Sequence, residues 1–183
     1  ENGQNIGLIN ITGGINTPIV NLATDMIITD LIIDTGHTVD IGTYDLTSSG
    51  EINLDGGTLL AEDGNISAND VTINAGVFSA SGTGKTFTVT GDWTQDGGTF
   101  THNSGTVTFN GNSNNQGITG ALYPNFYNLT ITKDSGTVTV VDTDLIVDNQ
   151  LTLTNASDEV TLLIEDGHAL ILGDDSPALT GYL

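Results

Sequence analysis

Ile33-Asp34-Thr35-Gly36-His37-Thr38-Val39-Asp40-Ile41-Gly42 recurs, at an offset of 131, as Ile164-Glu165-Asp166-Gly167-His168-Ala169-Leu170-Ile171-Leu172-Gly173. Thr29-Asp30-Leu31-Ile32-Ile33-Asp34 recurs, at an offset of 114, as Thr143-Asp144-Leu145-Ile146-Val147-Asp148. The two offsets differ by 17, a plausible length for one turn of a solenoid. A β-sandwich has no reason to accept insertions of one such unit. A parallel β-solenoid does, because each coil contacts only its neighbours. Coils of roughly 17–22 residues would divide the chain into about nine. The rod would then be about 40–45 Å long.

The residues around these repeats alternate with period two. Thr86-Phe87-Thr88-Val89-Thr90, Thr106-Val107-Thr108-Phe109, Leu129-Thr130-Ile131-Thr132 and Leu151-Thr152-Leu153-Thr154 put apolar side chains on one face and Thr on the other. β-Branched residues suit such a half-buried pleated surface. Turn formers separate the candidates: Asp55-Gly56-Gly57, Glu62-Asp63-Gly64, Asn74-Ala75-Gly76, Asp96-Gly97-Gly98 and Asn110-Gly111-Asn112. No stretch long enough for a helix carries helical apolar spacing without an interrupting Gly. The expected fold is all-β: one right-handed parallel β-solenoid over residues 1–183, with a core of Ile, Leu, Val and Phe.

Composition narrows the function. The 183 residues contain 2 Lys+Arg against 23 Asp+Glu, a formal charge of −21. A phosphate backbone needs cations to displace its counterions, so nucleic acid is excluded as a partner. Anionic lipid is excluded for the same reason, and no apolar run approaches the roughly 20 residues of a membrane-spanning helix. Cys is absent, which removes disulfides, thiolate metal sites and a Cys nucleophile. A lysine-poor chain with 29 Thr, 18 Asn and 24 Gly points to an extracellular or cell-surface location. The chain opens Glu1-Asn2-Gly3-Gln4 without a visible signal peptide, so either a leader has been removed or this is a segment of something longer.

The middle of the chain carries a family resemblance. Val89-Thr90-Gly91-Asp92-Trp93, Gly98-Thr99-Phe100, Gly105-Thr106-Val107-Thr108-Phe109-Asn110-Gly111, Gln116-Gly117-Ile118-Thr119-Gly120 and Asn125-Phe126-Tyr127-Asn128-Leu129-Thr130-Ile131 follow one another between Thr86 and Thr132. This pattern resembles β-solenoid segments of large secreted bacterial surface proteins, similar in kind to filamentous-haemagglutinin and autotransporter stalks. The resemblance implies a right-handed parallel β-solenoid with an extracellular structural role, as a filament subunit or adhesin stalk segment, and no enzyme.

Candidate sites are few. Gly82-Thr83-Gly84-Lys85-Thr86 looks like the end of a phosphate-binding loop, but Ser79 stands where the motif needs Gly and a strand follows in place of a helix. It reads as a turn, with Lys85 one of two surface cations. His37 and His168 read as turn residues near opposite ends of the rod. Polysaccharide-cleaving β-helices pair carboxylates with cations that meet acidic sugars, and −21 would repel such a polymer, so no enzymatic activity is expected. Clustered acids could hold calcium: Asp142, Asp144 and Asp148, Asp30 and Asp34, or Asp174 and Asp175. Neutral glycans could stack on Trp93, Tyr123 and Tyr127. Thr-x-Thr pairs at 86/88, 99/101, 106/108, 130/132, 137/139 and 152/154 suggest an ice-binding array. The intervals between their first members are 13, 7, 24, 7 and 15. No constant coil length appears among them, so the pairs are expected on different faces. The apolar segment Ile6, Leu8, Ile9 and Ile11 precedes Gly13-Gly14. Residues 1–14 could therefore leave their own rod and add as a strand to a neighbouring copy, in a homopolymer built end to end.

Overall fold

The computed structural model describes residues 5–13, 19–111, 115–155, 160–173 and 178–180. All regular structure among them is strand, and every strand pairing is parallel. The chain winds as a β-solenoid of about seven turns. One ladder runs through Ile9, Leu31, Ile52, Val71, Trp93, Ile118, Val140 and Ile164, at unequal intervals along the chain. Seven steps of about 4.8 Å make a rod of about 34 Å.

The expected nine coils are therefore too many, because each coil is longer than the difference between the two repeat offsets. The repeat at offset 114 is the source of the error. Leu31–Asp34 lies in the ladder above, whereas Leu145 and Val147 pair with Leu170 and Leu172 on another face. The two copies share a pattern of residues and not a place in the coil, so no short extra unit was inserted. The repeat at offset 131 does mark equivalent turns. The His37 N–H donates to the Asp34 carbonyl and the His168 N–H to the Glu165 carbonyl, across the same corner six turns apart.

Each coil contributes three strand segments in sequence. The first face carries Ile9–Ile11, Leu31–Asp34, the first halves of Glu51–Leu60 and Asp70–Ser79, Trp93–Gln95, Gln116–Thr119, Thr137–Val141 and Thr161–Ile164. The second carries Ile19–Asn21, Thr38–Asp40, the second halves of the two long strands and Thr99–Thr101, and the winding order continues it through residues 125–126, 145–147 and Leu170–Leu172. The third carries Met26–Ile28, Leu46–Ser48, Ile66–Ala68, Thr86–Val89, Thr106–Phe109, then residues 128–133, 150–155 and Ala178–Thr180.

Alternation places the core where the sequence suggests. Val107 and Phe109 are buried while Thr106 and Thr108 remain partly exposed. Most of the core is aliphatic, but the central coils are filled by Phe78, Phe87, Trp93, Phe100, Phe109 and Phe126 in edge-on and stacked contacts. Trp93 is fully buried, so it is no exposed platform for a sugar. Asp55-Gly56-Gly57 and Asn74-Ala75-Gly76 do not end strands as expected. They bend Glu51–Leu60 and Asp70–Ser79 around a corner while pairing resumes beyond it. Gly56 and Gly76 supply the left-handed backbone this needs, at φ 114° and 87°.

Ile9–Ile11 forms the first rung of its own rod and pairs with Leu31–Ile33. Ile9 and Ile11 pack against the core, whereas Ile6 and Leu8 are exposed. The preceding residues are tied down as well: the Ile6 N–H donates to the Ile27 carbonyl and the Thr29 N–H to the Gly7 carbonyl. In the single chain the segment thus occupies the first rung of its own ladder. Gly14, Asp174 and Asp175 lie outside the described residues.

Candidate interaction surface

The acids have a structural use at the corners. A backbone N–H at a corner lacks a ladder partner, and the carboxylate one coil below supplies it through a charge-assisted hydrogen bond. Between the second and third faces, Asp25 Oδ1 accepts the Asp45 N–H at 3.0 Å and Asp45 Oδ1 accepts the Asn65 N–H at 2.9 Å. Asn65 Oδ1 in turn accepts the Thr86 N–H at 2.9 Å. Between the third and first faces, Asp30 Oδ1 accepts the Glu51 N–H at 2.9 Å, Asp70 Oδ1 the Asp92 N–H at 2.7 Å and Asp92 Oδ1 the Gly117 N–H at 2.6 Å.

The residues considered for calcium are distributed by the same logic. Asp144 Oδ1 accepts the Ala169 N–H at 2.9 Å and lies 3.5 Å from His168 Nδ1. Asp148 Oδ2 is 3.2 Å from His102 Nε2 and accepts from Asn125 Nδ2 at 3.1 Å. Asp142 occupies a left-handed turn at φ 58°, and Asp34 sits where the register shifts against Asp55 and Gly56. Among the described residues no three His, Asp or Glu side chains converge on one point.

Gly82–Lys85 is a turn, as its sequence suggests, and leads directly into the strand Thr86–Val89. His37 is buried at its own turn, with Nε2 at 3.0 Å from the Gly13 carbonyl. Lys133, the second cation, is not on the surface. It is 1% exposed, and its Nζ donates to the Gly111 carbonyl at 2.6 Å and to Gln116 Oε1 at 2.8 Å. Gln116 Nε2 continues the node to the Val89 carbonyl at 3.1 Å and the Gly91 carbonyl at 2.6 Å. Desolvation lowers the Lys133 pKa below the ordinary lysine value, against the opposing attraction of Asp92. The node ties three successive coils at the corner between the third and first faces. Period two carries the signal for it, because Lys133 follows Leu129 and Ile131 at the next inward position.

The third face overturns the expectation for threonine. Four of the six Thr-x-Thr pairs, 86/88, 106/108, 130/132 and 152/154, lie on it together. The pair at 99/101 lies on the second face and that at 137/139 on the first, which is why the consecutive intervals look irregular. Cα partners place Thr47, Ser67, Thr88, Thr108, Thr130 and Thr152 in one outward column over six successive rungs. The intervals between these positions are nearly equal, more uniform than those of the first face. Thr86, Thr106, Asn128 and Gln150 form a second column on one side. On the other side Thr132 is paired with Thr154, their hydroxyls 2.7 Å apart. From Ile66 to Thr154 every outward residue of this face's strands is Thr, Ser, Asn or Gln. The acidic corner columns flank the face without entering it.

Apolar exposure concentrates elsewhere. Among the described residues, Ile6, Leu8, Ile19 and Val20 are exposed in the first coil, and Leu163, Ile171 and Leu172 in the last. Only Val77, Leu122 and Tyr123 join them from the body of the rod. Tyr127, one of the expected sugar contacts, instead stacks on His102 with ring centroids 5.4 Å apart. No family model, curated protein or solved structure matches this chain.

Proposed function

We propose that the chain is a structural rod module of the extracellular surface, which extends by stacking end to end on copies of itself. The observation that carries this reading is the exposure of large apolar side chains on the terminal coils at both ends. The outermost rungs also offer strand edges with no partner among the described residues, at Ile9–Ile11 on one end and Thr161–Ile164 on the other. Such edges favour strand addition. One end of a copy meeting the opposite end of the next is a heterologous contact, which grows an open filament. The extracellular assignment is supported by the low Lys and Arg content and by the likeness of residues 86–132 to surface stalks.

Sedimentation across a concentration range tests the assembly. The unaltered chain should form rods that lengthen with concentration. Val20→Lys charges the open first coil and Leu172→Lys the open last one, at inward positions stacked on the buried Val39 and Val147, so each variant alone should remain a monomer. Mixed, each still offers one intact end, and the pair should stop at a heterodimer. An unaltered chain that stays monomeric at every concentration contradicts the proposal.

A further inference from the structure

We infer that the third face binds ice through its threonine column. This goes beyond the structural role and rests only on the winding of a single chain, not on assembly. Three observations support it. First, the column is in register over six rungs, so its hydroxyl groups repeat at about 4.8 Å along the rod, each with a methyl beside it except at Ser67, and neighbouring columns lie about 6.7 Å apart across it. These repeats lie near those of oxygen positions in hexagonal ice.

Second, the strands that form the face pair without a register shift from Leu46 to Phe109 and again from Asn128 to Asn155. The shifts in this solenoid fall at corners and not within the face: between Ile33 and Asp34 and between Leu54 and Thr58 on the way from the first face to the second, and between Phe126 and Asn128 where the chain enters the third. Thr is also stiff at χ1, so a regular backbone produces regular side-chain positions. Third, charge is excluded. A chain of net charge −21 keeps Asp and Glu out of the outward positions of this face from Ile66 to Thr154. A carboxylate would orient water around itself and disrupt an ice-like layer, whereas a hydroxyl both donates and accepts and can stand in for one water of the lattice.

The other faces do not meet these conditions. The first carries Glu51, Asp70 and Asp92 in line with the small Gly117, and the second mixes Asp40, Leu60 and Val77. The occupant that fits the third face is therefore an extended, uncharged, periodic lattice of hydrogen-bonding groups at these spacings, and ice is the one made of water alone.

Single ice crystals grown in the purified chain test this. Thr108→Tyr and Thr130→Tyr place a bulky ring at the middle of the column. Thr94→Tyr places the same ring outward on the first face, where Thr94 pairs with Thr72 and Thr119. All three are outward positions, and unchanged far-ultraviolet circular dichroism and melting confirm that each variant is folded. The unaltered chain and Thr94→Tyr should facet growing ice crystals and hold a gap between melting and freezing, while Thr108→Tyr and Thr130→Tyr lose both effects. Absence of shaping by the unaltered chain overturns the inference, and so does equal activity in all three variants. Binding to microcrystalline chitin or cellulose that only the third-face variants lose, without ice shaping, reassigns the face to a neutral glycan and also overturns it.

Discussion

Gly76→Ala is expected to destabilise the rod by about 3 kcal/mol or more, from positive-φ strain together with overpacking. Gly76 turns the corner between the first and second faces at φ 87°. A Cβ added there would lie 2.0 Å from the Gly57 carbonyl oxygen and 2.7 Å from the Gly56 carbonyl carbon, both backbone atoms of the coil below. Backbone within a stacked ladder has little room to yield, so the corner must open or the ladder must shift. Gly84→Ala is the control. Gly84 has a similar φ of 82°, but nothing lies within 4 Å of an added Cβ. It should lose only the conformational term, about 1–2 kcal/mol. Denaturant midpoints of the two variants separate close approach from backbone strain. Equal losses would show that the coils are not packed against each other at Gly76.

The second large effect is in the core. Phe109→Ala should cost about 3–5 kcal/mol, as for other buried aromatic truncations. Phe109 is fully buried, pairs with Val89 and Ile131 on the neighbouring rungs, and meets Phe126 edge-on at 6.1 Å between ring centroids. Thr108→Ala, one position away on the outward side, should cost less than about 1 kcal/mol. The comparison tests strand parity directly, because a one-residue slip exchanges the two faces. Equal losses in urea melts would mean that the register is wrong.

The fold class was legible because the pleat forces alternation, and alternation is visible in Thr106-Val107-Thr108-Phe109 without any tertiary knowledge. The number of turns was not. Coils differ in length because the corners absorb the difference, and a corner residue such as Asp55 or Asn74 obeys no period. The step from Ile52 to Val71 is short and that from Trp93 to Ile118 long, yet both join adjacent rungs of one ladder. The repeat of Leu31-Ile32-Ile33-Asp34 as Leu145-Ile146-Val147-Asp148 misleads for a related reason. Any inward-facing strand before a corner Asp favours that pattern, whichever face it occupies.

The threonine face was hidden by the same mixing of faces. Taken in chain order, the pairs at 99 and 137 interrupt the series. With them removed, Thr88, Thr108, Thr130 and Thr152 recur at nearly constant intervals, one per coil. The burial of Trp93 and Lys133 follows from parity, since each continues an inward series, whereas side-chain chemistry alone argues for the surface. The polar node around Gln116 shows why parity prevails. Carbonyls freed at a corner need donors inside the rod, and a lysine stem can carry an ammonium to them.

The winding itself is the claim on which the threonine face depends, and distances between paired nitroxide labels measure it. Ile27, Thr47, Thr130 and Thr152 lie in one outward column, so label pairs drawn from it should report the number of rungs between them. Double electron–electron resonance should give about 19 Å for 47/130, about 24 Å for 47/152 and about 29 Å for 27/152, a step of about 4.8 Å per coil. Distances that fail to lengthen in this order, or a 47/152 separation that matches a different number of coils, would contradict the account.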